Sequence, residues 1–546
     1  MRKLLSLLIL LPLCALAQPK WTKKAQKSLV TLRAVQQSGD TLWVPAFYVD
    51  NQGTVVAPLN PLMRAREAWV ENAAGRRQVS ELSGFSTTYD ICRLTTTGKA
   101  KAVPLSIGAP PEKGAAVYLM PDGQADEVTQ VEAADERNYY TLKEPASFLL
   151  TGQPLLDAEG RAVGILQNPI RATGAPNYAL DIRLPMELSI KALDANNADL
   201  HTCLIPRQLP ATEDQARSFL YLVSTTPDQL IHYARRFTEL YPKANTGYVL
   251  AAEAHLALKQ YDEAQAAYEE ALKKQVDDPN EVLYARSQAI YNAVDQGPDT
   301  LPADWTLDGA LADVRAAMQH TPLPVYTLHE ARILFAQKQY AEANDRYLSL
   351  TRTNMRTPDL FIYAARCQEK MGLPADSILC MNDSAVAEFT QPYPAEAANY
   401  FWLRAMRRRD AGQTRPAIRD MNVYEHLKGD AALTDLFYYQ REQLEASSRM
   451  LPQALADIAK AIELRPDQAL YHAEHAVLLY RAGEPAQAIE ACTKTLELDP
   501  AFTDAHRIWG ICLLEQGKKA EAKEHLQKAV ELGDEAAQSI LNEQYK

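Results

Sequence analysis

Apolar residues follow two rhythms along this chain, and the change between them falls near residue 200. Before it, short runs rich in Val, Leu, Thr and aromatic residues are cut by turn residues. Ser28–Val35, Leu42–Val49 and Thr54–Ala57 are separated by Ser38-Gly39-Asp40 and by Asp50-Asn51-Gln52-Gly53. Ala115–Met120, Glu127–Ala133, Tyr139–Leu142 and Ala162–Leu166 repeat the pattern. Such residues fit a pleated, half-buried surface, so the pattern predicts short strands in an all-β barrel or sandwich over residues 18–200.

After Pro210 the apolar spacing turns helical and is broken at regular intervals by Pro and Gly. Ala454, Ala488 and Ala522 fall 34 residues apart, which is the tetratricopeptide period. Each unit places a small residue where its first helix crosses its second, a glycine after the first helix, a second small residue on the second helix and a proline beyond. Leu470–Pro500 supplies Ala476, Gly483, Ala488 and Pro500, and the next unit supplies Gly510, Gly517, Ala522 and Ala529. Tracing the small position backwards gives Leu230, Ala264, Ala310, Ala343, Ser377, Ala417, Ala454, Ala488 and Ala522. The pattern therefore predicts an all-α solenoid of about eight to nine helix pairs over residues 211–546, with residues 201–210 as a linker. The longer gap between Ala264 and Ala310 falls on the insertion 296–302.

Arg2 and Lys3, the apolar stretch Leu4–Leu13 and the small-residue close Ala15-Leu16-Ala17 have the succession of a cleaved secretory signal over residues 1–17. Export by the Sec route to the periplasm, the outer membrane or the medium is the expectation. Leu13 precedes Cys14 where a lipoprotein signal carries a small residue, which disfavours lipidation. Beyond the signal, Cys92, Cys203, Cys367, Cys380, Cys492 and Cys512 are too sparse for a disulfide framework and show no metal spacing. No metal or cofactor is implied. His472 and His475 stand three residues apart without carboxylate or cysteine company, so packing explains them better than a metal.

Charge is divided as unevenly as hydrophobicity. Residues 18–205 carry 19 basic against 20 acidic side chains, whereas the residues beyond 205 carry 36 against 49, so the acidity of a chain with net charge −12 lies there. An acidic array repels phosphate backbones and argues against nucleic acid as a partner.

Within the strand-rich region, Ser28-Leu29-Val30-Thr31-Leu32, Ala46-Phe47-Tyr48-Val49-Asp50 and Gly53-Thr54-Val55-Val56-Ala57 resemble the opening of HtrA-like, trypsin-fold serine proteases. The resemblance implies a double β-barrel. In that family a Thr-Asn-X-His motif delivers the catalytic histidine; here Ala57-Pro58-Leu59-Asn60 matches it and puts Asn60 at that place. The family's aspartate survives as Asp90 in Tyr89-Asp90-Ile91-Cys92-Arg93-Leu94. Its nucleophile loop matches Leu149-Leu150-Thr151-Gly152-Gln153-Pro154-Leu155-Leu156, so Thr151 replaces the serine and Leu149 and Gln153 replace two loop glycines. Asp157-Ala158-Glu159-Gly160-Arg161-Ala162-Val163-Gly164-Ile165 carries the closest match.

Acyl transfer by a hydroxyl needs a base near neutral pKa to take its proton and return it to the leaving group. An Asn amide does neither, and the first histidine in the chain is His201. The expectation is a pseudoprotease with degenerate triad positions Asn60, Asp90 and Thr151, joined to a scaffold that binds peptides or proteins and organises an envelope assembly. An active peptidase with an unorthodox site, in which a lysine such as Lys143 activates Thr151 and the array recruits substrate, is the alternative, and a purely structural linker is a third. In stacked helix pairs the first helices line the concave wall. The repeat register places Trp402, Met406, Arg409, Tyr439, Gln443, Tyr480, Arg481 and Arg507 there as candidate peptide-binding residues.

Overall fold

A computed structural model describes residues 18–545 apart from 100, 135–136, 146, 168–174, 224–225 and 299. The expected signal segment lies outside the described residues. The chain forms two compact units, one of residues up to 285 with 300–302, the other of residues 286–299 with 303–546.

The first unit opens with six antiparallel strands, β1 (Leu29–Gln36), β2 (Thr41–Tyr48), β3 (Thr54–Ala57), β4 (Ala65–Asn72), β5 (Gly75–Ser86) and β6 (Ile91–Thr97). They close into a barrel in the order β1-β2-β3-β6-β5-β4. Six more, β7 (Ala116–Leu119), β8 (Gln124–Ala134), β9 (Arg137–Pro145), β10 (Pro154–Leu156), β11 (Ala162–Leu166) and β12 (Pro176–Asp181), close a second in the order β10-β11-β12-β9-β8-β7. This is the double barrel that the resemblance implies. Successive side chains on a strand point to opposite faces, and β3 shows the consequence. Val55 and Ala57 join Leu32, Val70 and Leu94 inside the first barrel, while Val56 packs with Phe47, Leu156, Ile165 and Leu180 in the seam between barrels. Each such side chain contributes about 1.5–3 kcal/mol on burial. Tyr140, Val128 and Val163 fill the second barrel.

Residues 201–210, expected as a linker, are packed into the first barrel. Leu200, Cys203 and Ile205 belong to its core. The N–H of Leu82 donates to Pro206 O at 2.8 Å and the N–H of Gln208 donates to Leu82 O at 2.9 Å, so the segment pairs with β5. The buried Arg207 guanidinium donates to the carbonyls of Asp194, Ala195 and Leu200, and its backbone N–H donates to the Tyr233 hydroxyl at 2.9 Å. Ile190, Ala195 and Leu209 share a core with Phe219, Tyr233 and Phe237 of the first helices. Polar residues in this stretch read as a linker, but alternate apolar ones anchor it.

In the helical part, the small position is fully buried at Ala264, Ala310, Ala343, Ala417, Ala454, Ala488 and Ala522. Gly510 shows why size is limited where paired helices cross: a Cβ there would lie 2.7 Å from Leu526 Cγ. Leu230 and Ser377 are half-buried, and in the latter helix the buried face is carried by Leu379, Asn382 and Ala385. Left-handed backbone closes the first helix of several pairs, at Gly483 and Gly517 but also at Lys338 and Arg449, which blurs the glycine signal in earlier repeats. Cys92, Cys203, Cys367, Cys492 and Cys512 are buried free thiols, and Cys380 is exposed.

Candidate functional site

The three triad positions sit where the barrels meet, and each is held by backbone. Asp90 takes a left-handed conformation, φ 47°, and its Oδ1 accepts the backbone N–H of Asn60 at 2.7 Å while its carbonyl accepts that of Leu59 at 3.3 Å. Burial raises the Asp90 carboxyl above its usual range, and these backbone donors pull the other way. The carboxylate thus fixes the turn after β3; the Asn60 side chain is exposed.

Thr151 is only 6% exposed, and its hydroxyl has no hydrogen-bond partner among the described residues. Gly152, at φ +84°, is pressed against the first barrel so closely that a Cβ would lie 2.2 Å from Pro45 O and 2.9 Å from Pro58 Cδ. Around it the N–H groups of Leu150, Gly152 and Gln153 donate to the carbonyls of Ser147, Leu166 and Leu150. Leu149 is exposed. Lys143 is exposed and pairs with Glu127 at 3.3 Å.

The expected groove residues are tied to their neighbours. Trp402 packs on Tyr424 and Phe437, with ring centroids 5.2 and 5.9 Å away, and Met406 joins the same cluster. Tyr439 packs on Tyr471 at 5.2 Å. Tyr480 donates its hydroxyl to Glu515 at 3.0 Å, and Gln443 donates to Glu442 at 2.7 Å. Arg409 pairs with Asp410, Arg481 donates to the Ala446 carbonyl, and Arg507 pairs with Asp504 and with Asp534 at 3.0 Å. An aromatic track with free positive charge beside it is not what the side chains form. His472 Nε2 donates to Pro466 O at 2.8 Å. Among the described residues, no group of three or more His, Cys, Asp or Glu side chains could hold a metal ion.

Two adjoining cavities lie elsewhere on the helices. One of about 130 Å³ is lined by Tyr291, Arg332, Phe335, Tyr347, Tyr363 and Arg366. The other, of about 570 Å³, shares Tyr363 and Arg366 and extends past Ile362, Phe389, Tyr400 and Leu403. His329, behind the first cavity, is buried with Nε2 3.0 Å from Ser287 Oγ. Burial there holds its pKa down at about 4, so it stays neutral.

Residues 231–296, 444–501 and 473–539 match the profile of the family described as "Tetratricopeptide repeat". Those segments carry tetratricopeptide repeats. Similar solved structures include the Rv3671c protease of M. tuberculosis in its active form, at 16% identity over 34% of this chain and 90% of that one, with a TM-score of 0.27. MamA is similar at 21% identity over 32% of this chain and 96% of that one, TM-score 0.27. YrrB, described as a TPR protein with an unusual peptide-binding site, is similar at 15% identity over 36% of this chain and 97% of that one, TM-score 0.31. No curated protein sequence matches the chain. Among the described residues no helix is long and apolar enough to cross a membrane.

Sequence reasoning passed over Arg332 and Arg366: the first lies in a copy that shows the pattern at Ala331, Tyr340 and Ala343, the second in the Ser377 copy, where the pattern is weak. A signal was there: they stand 34 residues apart, at the same place in successive repeats.

Proposed function

We propose that this chain is an exported, non-catalytic scaffold in which a protease-type double barrel serves as a rigid platform and the tetratricopeptide array binds a peptide or protein partner. The observation that carries the reading is the burial of Thr151, 6% exposed and next to the tightly packed Gly152, in a region with no histidine before His201. A nucleophile must reach its substrate and hand its proton to a base; Thr151 is placed for neither. Export rests on the signal-like succession of residues 2–17. Binding by the array rests on the repeats, since stacked helix pairs present an extended concave surface.

A peptidase assay on the full chain with a broad substrate panel tests this. Hydrolysis at background, unchanged in Thr151→Ala, is expected. Robust turnover abolished by that substitution would make the chain an active peptidase.

A further inference from the structure

The arginines of the middle repeats are nearly all neutralised from within. Arg286 pairs with Asp313 at 2.6 Å, Arg315 and Arg346 each reach Glu330 at 2.8 Å, and Arg404 and Arg408 share Asp420. Arg356 pairs with Glu388, and Arg407 with Glu369 at 2.6 Å. Arg332, Arg366 and the exposed Arg352 have no carboxylate partner among the described residues, and of the three Arg332 and Arg366 face a cavity. They lie on the helices Pro324–Ala336 and Pro358–Lys370 and both line the smaller cavity. In a region with more acidic than basic side chains, two guanidiniums line one aromatic-walled cavity without an ion pair among the described residues, the nearby Asp295 acting on Tyr291 of the same wall.

We propose that this cavity receives a carboxylate of a bound peptide, and that the larger cavity beside it receives a bulky apolar residue next to that acid. The proposal rests on the reading of the array as the binding part of the chain and names the chemistry it selects. Size supports it. About 130 Å³ holds roughly four waters at about 30 Å³ each, enough for a carboxylate-bearing group and well below the roughly 300 Å³ at which small-molecule sites begin. Chemistry supports it too. Planar guanidiniums bind carboxylates through paired hydrogen bonds, and low-dielectric aromatic walls strengthen that attraction. The phenols of Tyr291 and Tyr347 are held above their usual pKa, first by burial, so they remain neutral O–H groups able to donate.

The neighbouring cavity narrows the choice further. Its walls include Ile362, Phe389 and Leu403, and Asp359 and Glu396 also line it. Asp359 accepts the Tyr400 hydroxyl at 2.6 Å. Two carboxylates there repel a second acid, so the pair of cavities favours one acidic group beside an apolar or aromatic residue over a run of acids.

The test uses the full chain and four fluorescent peptides read by anisotropy. Two have amidated ends and an internal Glu-Phe or Gln-Phe pair; a third has a neutral sequence ending in Phe with a free carboxylate; a fourth carries Glu-Glu. The Glu-Phe peptide or the free-carboxylate peptide should bind about tenfold or more tightly than the Gln-Phe peptide, and which of the two does so tells a side-chain acid from a chain terminus. Arg332→Gln with Arg366→Gln should remove that preference, and Arg332→Glu with Arg366→Glu should transfer it to a fifth, amidated peptide with an internal Lys-Phe pair. Equal binding of the Glu-Phe, Gln-Phe and free-carboxylate peptides, tighter binding of Glu-Glu, or a preference that survives both double variants would overturn the site while leaving the array as a binder. Absence of binding by every peptide would overturn both.

Discussion

Around Thr151 the chain closes on itself: Gly152 touches the opposite barrel, the loop amides donate to carbonyls of their own domain, and Asp90 holds a backbone turn. Around Arg332 and Arg366 the walls are aromatic, and two charges are left facing open space. The difference teaches where to look for function in a chain of this kind. Backbone groups satisfied internally stabilise a fold, and unpaired charges that line a cavity point to a ligand. In the barrel, the Asp90 carboxylate and the Gly152 contact brace the fold.

The largest expected effect lies in the bracing. Arg207→Ala leaves the Asp194, Ala195 and Leu200 carbonyls without their buried donor and should cost about 3 kcal/mol in urea unfolding of the full chain. Limited proteolysis should spare residues 197–209 in the parent and cut there in the variant. A cost under about 1 kcal/mol would show that the segment is a linker after all, and the barrel would lose its claim to be a closed platform.

A second effect sharpens the contrast between satisfied and unsatisfied charge. Glu442 and Glu445 are buried in the helix Asp435–Ser447, beside Arg441, Glu425 and Asp457. Burial, joined for Glu445 by the nearby Asp457, pushes their carboxyls up to about 7 and about 8. A carboxyl whose folded pKa is raised favours folding fully below its unfolded pKa near 4.3, and that contribution is lost as pH rises through about 7 and 8. Stability of the array should therefore fall between about pH 5 and pH 8. Glu445→Gln should restore on the order of 2 kcal/mol at pH 8 and change little at pH 5. A flat stability profile in the parent would contradict the burial of these acids as charges in excess.

Trp402→Ala should cost about 2 kcal/mol in stability through lost packing on Tyr424 and Phe437, without altering the Glu-Phe over Gln-Phe preference of peptides. Loss of that preference with stability unchanged would return the groove to the aromatic track. The smallest effect belongs to the sealed loop. Thr151→Val removes a buried hydroxyl that has no partner among the described residues and keeps the shape, so it should stabilise the chain by about 1 kcal/mol in thermal unfolding. A marked loss of stability would mean that the hydroxyl is engaged.

Much of the architecture was legible because local chemistry decided it. β3 and β11 follow the sequence pattern residue for residue, since each is a short apolar run flanked by turns. β4 and β5 were passed over because their exposed faces carry Arg66, Glu67, Arg76 and Gln78, which mask the alternation. β10 is three residues long and carries no period to read. The contacts made by the candidate groove residues were hidden for a different reason. Repeat register places Trp402 and Arg507 on a helix, but whether each meets solvent or a neighbour depends on Phe437 or Asp534, residues 35 and 27 positions away. Pairings at that range emerge only from the stacking of the helices. Arg332 and Arg366 stand out only after every internal ion pair is known.

The central claim is that ligand binding belongs to the array and that the barrel loop is closed. Hydrogen–deuterium exchange of the full chain, with and without the tightest-binding of the synthetic peptides, tests it most directly. Slowed exchange within residues 324–336 and 358–370, with residues 147–153 and 57–62 unchanged, is the expected result. Protection confined to 147–153 and 57–62 would place the ligand in the barrel cleft and contradict the account.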